Sequence, residues 1–81
     1  MSNWHLYILQ CSDGSFYTGI TTDLERRLKR HNEGKASKYT RSKRPVRLVY
    51  SESLGNESLT RKREAEIKSL SRQDKFKLMH L

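Results

Sequence analysis

Apolar and polar residues alternate in two short runs near the start of the chain, from Trp4 to Cys11 and from Phe16 to Ile20, and both runs are rich in aromatic and branched side chains. That alternation predicts two strands, and Ser12-Asp13-Gly14-Ser15 between them predicts a hairpin turn. Two registers compete. A two-residue Asp13-Gly14 turn would pair Gln10 with Tyr17 and put Tyr7 and Tyr17 on opposite faces. A three-residue loop, Ser12-Asp13-Gly14 with Gly14 supplying the positive φ, pairs Leu9 with Tyr17 and Tyr7 with Gly19. The second register keeps Trp4, Leu6, Ile8, Phe16 and Ile20 on one face and His5, Tyr7, Leu9, Tyr17 and Gly19 on the other, and burial of the apolar set selects it. Tyr7 and Tyr17 become diagonal neighbours, roughly 7 to 8 Å apart at the backbone, beside a Gly19 that leaves room for a ligand.

The pattern then changes to a helical period. Thr22-Asp23-Leu24-Glu25 is a capping box and Gly34 a stop, which predicts a helix over residues 23–33. Leu24, Arg27, Leu28 and His31 fall on one stripe of it, and two of those four are polar. Residues 34–45 read as a loop or broken helix loaded with Lys35, Lys38, Arg41, Lys43 and Arg44 around Tyr39. Val46 to Glu52 predicts a third strand, and Leu54-Gly55-Asn56 a turn. A helix follows from about Glu57 to Leu70, capped by Asn56, with Leu59, Ile67 and Leu70 as its buried stripe. Ser71-Arg72-Gln73-Asp74 is a further capping box, opening a short last helix that carries Phe76 and Leu78. Repeats, linkers and low-complexity segments are absent from the sequence. The order ββαβαα predicts a single α+β domain over residues 1–81, a three-stranded antiparallel sheet flanked by helices.

Composition narrows the function. With 81 residues, 33% of them hydrophobic and 32% charged, the chain can cover one sheet face and little more, so no large internal ligand cavity is expected. A net charge of +8 calls for a densely anionic partner, nucleic acid before an acidic protein or membrane surface. Cys11 is the sole cysteine, which rules out an intrachain disulfide and suits a reducing cytoplasm. No apolar run approaches the ~20 residues of a membrane span. The N-terminal Met1-Ser2-Asn3-Trp4 lacks the basic and apolar segments of a signal peptide, so a soluble cytoplasmic protein without membrane attachment is expected.

Two phenols, a guanidinium and an imidazole converge on one sheet face and one helix stripe, a set suited to cutting a phosphodiester. Such a cut needs a base, positive charge for the developing phosphorane, and usually a divalent metal. Arg27 can hold two phosphate oxygens at once. Read alone, each residue has an ordinary explanation: Arg27 as a solvated helix residue, His31 as a packed histidine near the helix C-terminus, Tyr7 and Tyr17 as strand aromatics. A hard metal takes carboxylate oxygens, and Glu57, Glu64 and Glu66 are all on offer; periodicity does not choose among them. No cysteine–histidine spacing suits zinc, and no Gly-rich phosphate loop or Ser/His/Asp arrangement occurs. The basic segment Lys35, Lys38, Arg41, Lys43 and Arg44 suits a phosphate backbone, with Tyr39 stacking on an unpaired base.

These residues resemble the GIY-YIG nuclease family, and within it the small stand-alone bacterial members. His5-Leu6-Tyr7 stands where the family has Gly-Ile-Tyr, and Tyr17-Thr18-Gly19 where it has Tyr-Ile-Gly. Thr21 to Leu28 followed by His31, Lys38-Tyr39-Thr40, Arg44-Pro45-Val46, Leu48-Val49-Tyr50 and Glu64-Ala65-Glu66-Ile67-Lys68 extend the likeness over nearly the whole chain. The resemblance implies hydrolysis of DNA with one divalent metal, Mg²⁺ or Mn²⁺, and no small-molecule cofactor. It further implies that Glu64 holds the metal and that Tyr17 acts as, or positions, the general base. Tyr7 would contact the phosphate or a water on the metal, Arg27 would clamp the scissile phosphate, and His31 would assist proton transfer. Glu64 is preferred to Glu66 because the family's glutamate precedes an Ile-Lys pair by this spacing.

Three functions follow from the sequence: a metal-dependent DNA endonuclease in repair or processing, acting on DNA that includes branched, nicked or single-stranded forms; a weakly catalytic or non-catalytic module that binds structured nucleic acid; and a basic accessory protein docked on an acidic partner. Salt-sensitive binding separates the first two from the third, and metal-dependent scission separates the first from the second. Oligomeric state is open at this level.

Overall fold

The computed structural model describes residues 3–80; Met1, Ser2 and Leu81 lie outside it, and so does the part of the N-terminal reading that concerns Met1 and Ser2. Strands β1 (Trp4–Gln10), β2 (Phe16–Thr21) and β3 (Arg47–Leu54) form one antiparallel sheet in the order β2-β1-β3, with helices α1 (Leu24–Asn32), α2 (Lys38–Arg41), α3 (Glu57–Lys68) and α4 (Arg72–Met79) around it. The hairpin adopts the three-residue loop. Leu9 faces Tyr17 and Tyr7 faces Gly19, Cys11 and Ser15 close the turn through a 2.8 Å backbone bond, and Gly14 sits at φ 86°, where a Cβ would be strained.

The α+β class holds, but the sheet is covered on both faces. Leu6 and Ile8 pack with Ile67 and Met79, joined by Phe16, Val49, Tyr50, Leu54, Leu70 and Leu78. On the reverse face Tyr7, Leu9, Cys11 and Val46 pack with Tyr17, Leu24 and Leu28. A chain with so few apolar residues closes its second face by burying polar ones, His31 and Thr40 among them, each with hydrogen-bond partners that offset its lost hydration.

Several boundaries move. Asp23, not Thr22, caps α1, its carboxylate accepting from the Arg26 backbone N–H at 3.1 Å. In α3, Leu59 is 51% exposed while Thr60 is fully buried. The Thr60 hydroxyl donates to the Asn56 carbonyl at 2.7 Å, so it enters the interior already satisfied and displaces leucine from the expected stripe. Asn56 and Ser71 cap α3 and α4 as expected. A bulge after Ile8 shifts the register with β3, which re-aims that edge strand.

What fixes α3 against the sheet is a polar clamp. Glu52 on β3 receives the Arg63 guanidinium at 3.0 Å and the Tyr50 hydroxyl at 2.5 Å, while Arg63 also reaches Glu66 at 3.1 Å. Arg63's hydrogen bonds hold the Glu52 carboxyl below the usual carboxylate range. Glu64, next in sequence to Arg63, is thereby held at a set rotation of the helix.

Candidate active site

β1 and β2 bring the two phenols together on the α1 side of the sheet, with ring centroids 6.4 Å apart. Tyr7 is 2% exposed. Its ring crosses the strand over Gly19, where an added Cβ would lie 2.5 Å from Tyr7 Oη and 2.6 Å from Cζ. The room that Gly19 leaves is therefore taken by Tyr7 itself and not by a ligand.

The polar half of the α1 stripe turns inward, as its spacing predicts. His31 is 1% exposed; its Nε2 meets Tyr7 Oη at 2.9 Å and its Nδ1 meets Thr40 Oγ1 at 2.8 Å. The Thr40 hydroxyl donates to the Ser37 carbonyl at 3.3 Å, which leaves its oxygen to accept from Nδ1–H. The network thus assigns Nε2 as acceptor from the Tyr7 hydroxyl. A directional line runs from Tyr7 through His31 and Thr40 to the Ser37 carbonyl. Burial pushes the Tyr7 phenol well above its ordinary range, assisted by Tyr17 and Glu64 and opposed by Arg27; burial, with Arg27 beside it, pushes the His31 imidazole down.

Neutral His31 makes stability depend on pH. Because its folded value lies below the value of about 6.5 in an unfolded chain, the unfolded state binds the proton first, and stability present above that value is lost as pH falls through the folded one. Wild type should therefore lose melting temperature as pH falls from neutral through and below about 6.5. A His31→Gln variant, less stable at the upper pH, should show a smaller fall over the same window, and equal slopes for the two proteins would remove His31 as the source.

Arg27 and Glu64 are the charged groups that act on the Tyr7 phenol, so β1, β2, α1 and α3 bring Tyr7, Tyr17, Arg27, His31 and Glu64 to one place. Glu64's side chain is 19% exposed and pairs with Lys68 at 3.3 Å. Glu66 is 56% exposed and turned to Arg63, and Glu57 is paired with Arg61. Among the described residues no group of three or more His, Cys, Asp or Glu is arranged to hold a metal ion. The donor set nevertheless suits a hard divalent cation of the magnesium kind, which needs as few as one carboxylate when substrate phosphate and water complete its shell.

The basic segment divides into two kinds of residue. Lys35, Lys38 and Arg41 are exposed. Arg44 is folded back, its Nε donating to the Arg41 carbonyl at 2.8 Å and its Nη1 to the Asn32 carbonyl at 3.4 Å. Lys43 lies 4.3 Å from the centre of the Tyr39 ring, and Tyr39, 42% exposed, stacks on Tyr17 at 5.9 Å. Tyr17 lines an open groove with Thr18, Tyr39, Lys68 and Lys75.

Three residues at this site carry no assignment from the sequence pattern. Thr40 anchors His31, Lys68 pairs with Glu64, and Asn32 pins the loop by bonding both the N–H and the carbonyl of Val46 at 2.8 and 3.0 Å. Lys68, four residues after Glu64, has a sequence signal in the i,i+4 pair. Thr40 and Asn32 act through contacts that no helical or strand period encodes.

Comparison with known proteins identifies the family. The model of the GIY-YIG catalytic domain matches residues 3–78. A UPF0213 protein of Staphylococcus saprophyticus is 49% identical over 98% of this chain and 96% of its own, and one of Syntrophus aciditrophicus is 50% identical over 98% and 92%. The solution NMR structure of a UPF0213 protein from Bacillus halodurans superposes with a TM-score of 0.63 at 46% identity, covering 96% of this chain and 83% of that one. A match of such length, joined to relatives at this identity, places the chain in the GIY-YIG catalytic domain family.

Proposed function

We propose that this chain is a divalent-metal-dependent DNA endonuclease of the cytoplasm, acting in DNA repair or processing. The observation that carries the reading is the convergence of Tyr7, Tyr17, Arg27, His31 and Glu64 in one place on a strongly basic domain. Arg27 clamps the scissile phosphate through its planar guanidinium and faces the charge that grows there in the transition state. Tyr17, on the wall of an open groove, takes the proton of the attacking water or positions the group that does. Tyr7, held protonated by burial, lines the site and donates to His31, which assists proton transfer through it. Glu64 holds Mg²⁺ or Mn²⁺, which when bound offsets negative charge on the phosphate. Lys35, Lys38 and Arg41 contact the backbone of the DNA, supported by Lys43, Arg44 and Tyr39.

A second reading, a structure-specific nucleic-acid-binding module with little or no catalysis, is favoured by one feature: Glu64 already has a cation partner in Lys68 at 3.3 Å. Incubation with supercoiled plasmid, single-stranded DNA and branched DNA, with Mg²⁺ or Mn²⁺ against EDTA, decides between the two. The endonuclease reading expects scission that EDTA stops. Salt-sensitive binding without scission in either metal would leave the binding module.

A further inference from the structure

A strongly basic concavity lies along α1 and shares Arg27 with the site just described. Arg26, Arg27 and Arg30, with Thr21, Thr22 and Asp23, line a groove of about 320 Å³. The ion pairs among the described residues, Arg61–Glu57, Arg63–Glu52, Arg63–Glu66 and Lys68–Glu64, all lie on α3 and its β3 neighbour. None reaches α1. Asp23, the one carboxylate on the groove wall, is engaged in capping the helix through the Arg26 N–H at 3.1 Å. Three guanidinium groups therefore share one groove without a paired carboxylate, an arrangement whose mutual repulsion is relieved by an external anion.

Two further features say what kind of anion. Arg27 at one side of the groove acts on the Tyr7 phenol, so the groove runs into the candidate active site. Arg30 donates to the Lys35 carbonyl at 3.4 Å, so it also meets the start of the exposed basic loop. Arg26 and Arg30 stand one helical turn apart, about 6 Å along the axis, and both carry guanidinium donors of the kind that fit phosphate oxygens, Arg30 with those its long bond to Lys35 leaves over. A single small anion would engage one such guanidinium; a polyanion with regularly repeated phosphates can engage both.

We propose that the α1 groove is a second phosphate site, in which Arg26 and Arg30 hold the sugar–phosphate backbone of the nucleic-acid strand next to the phosphate that Arg27 clamps. The assignment rests on the nuclease reading for the part Arg27 plays, and its own content is where the flanking backbone lies: over α1, in addition to the loop after it. Arg26 and Arg30 are binding residues with no part in the bond-breaking step. The ligand is a nucleic-acid backbone, and inorganic phosphate is the competing occupant.

The test is binding by the full chain in EDTA, so that no cleavage occurs and a failure of the nuclease reading leaves the result interpretable. Fluorescence anisotropy with a short labelled duplex, over a range of salt, compares wild type with Arg26→Gln/Arg30→Gln. The slope of log affinity against log salt should become shallower by about 1.8, at about 0.9 for each phosphate no longer neutralised. Lys62→Gln/Lys77→Gln removes the same charge from α3 and α4, whose Ile67 and Met79 pack with Leu6 and Ile8 on the sheet face opposite Leu24 and Leu28 of α1, and should leave the slope near wild type. Lys35→Gln/Lys38→Gln/Arg41→Gln reports the loop separately. An unchanged slope in Arg26→Gln/Arg30→Gln, or the same flattening in Lys62→Gln/Lys77→Gln, overturns the proposal. So does displacement of the duplex by inorganic phosphate, at matched ionic strength, that Arg26→Gln/Arg30→Gln abolishes, because the groove is then a small-anion site. Because Arg26 and Arg30 are exposed, Arg26→Gln/Arg30→Gln should give the wild-type circular dichroism spectrum, which is checked alongside.

Discussion

Glu64→Ala and Arg27→Ala should each lower metal-dependent cleavage by on the order of 10² or more while leaving fold and most DNA affinity in place. The size follows from the kind of work assigned to them. A metal ligand and a phosphate clamp oppose charge that is largest in the transition state, and removing one preorganised group of this kind costs roughly 10² to 10³ in other enzymes. The fold is insulated from the loss of Glu64: its pairing with Lys68 is an i,i+4 contact in which the lysine is 57% exposed, a type that contributes little to stability. Glu66→Ala is the internal control. Its carboxylate is 56% exposed and engaged with Arg63 at 3.1 Å, so it should cut at the wild-type rate with a marginal loss of stability. Active Glu64→Ala beside inactive Glu66→Ala would move the metal site to the outer face of α3, against the side from which Glu64 acts on Tyr7.

How much of this is readable from the chain depends on whether the information is periodic. The hairpin register follows from an apolar alternation that only one loop length keeps on a single face, and the observed pairing of Tyr7 with Gly19 has that register. The α1 stripe follows in the same way, because residues at i, i+3, i+4 and i+7 share a face whether they are leucine or histidine. Glu64 against Glu66 is not periodic information. Both lie in the second half of the helix, and the choice is made by the Glu52–Arg63 clamp, which depends on β3 lying where it does. Thr40 is hidden for a related reason: a threonine in a run of lysines and arginines looks solvated until a histidine nine residues upstream is delivered to it. Arg44 errs in the opposite direction. A count of charges treats it as a free cation, and its guanidinium is spent on the backbone carbonyls of Arg41 and Asn32. The α3 stripe fails at Leu59 because a helical count treats threonine as polar, whereas a hydroxyl returned to the backbone buries well.

Gly19→Ala should lose on the order of 10² in cleavage rate, together with about 1–3 kcal/mol of stability of the overpacking kind. The added methyl would lie 2.5 Å from Tyr7 Oη and 2.6 Å from Cζ, so the ring itself must move. Tyr7 has little freedom to do so, enclosed by Tyr17 at 6.4 Å and His31 at 5.8 Å between ring centroids. A shift that relieves the methyl lengthens the 2.9 Å bond to His31 Nε2 and leaves a buried acceptor without its donor, at a cost of about 1–3 kcal/mol. Activity falls through position, since Tyr7 lines the proposed site and holds His31, and a displacement of about 1 Å at such a site is worth about 10². Gly14→Ala separates this from simple destabilisation. Gly14 is held at φ 86° with nothing within 4 Å of an added Cβ, so alanine there strains the turn by about 1 kcal/mol without touching Tyr7. Assayed well below both melting temperatures, Gly14→Ala should cleave at the wild-type rate and Gly19→Ala should not. Full activity in Gly19→Ala would mean that the position of the Tyr7 phenol has no bearing on the reaction.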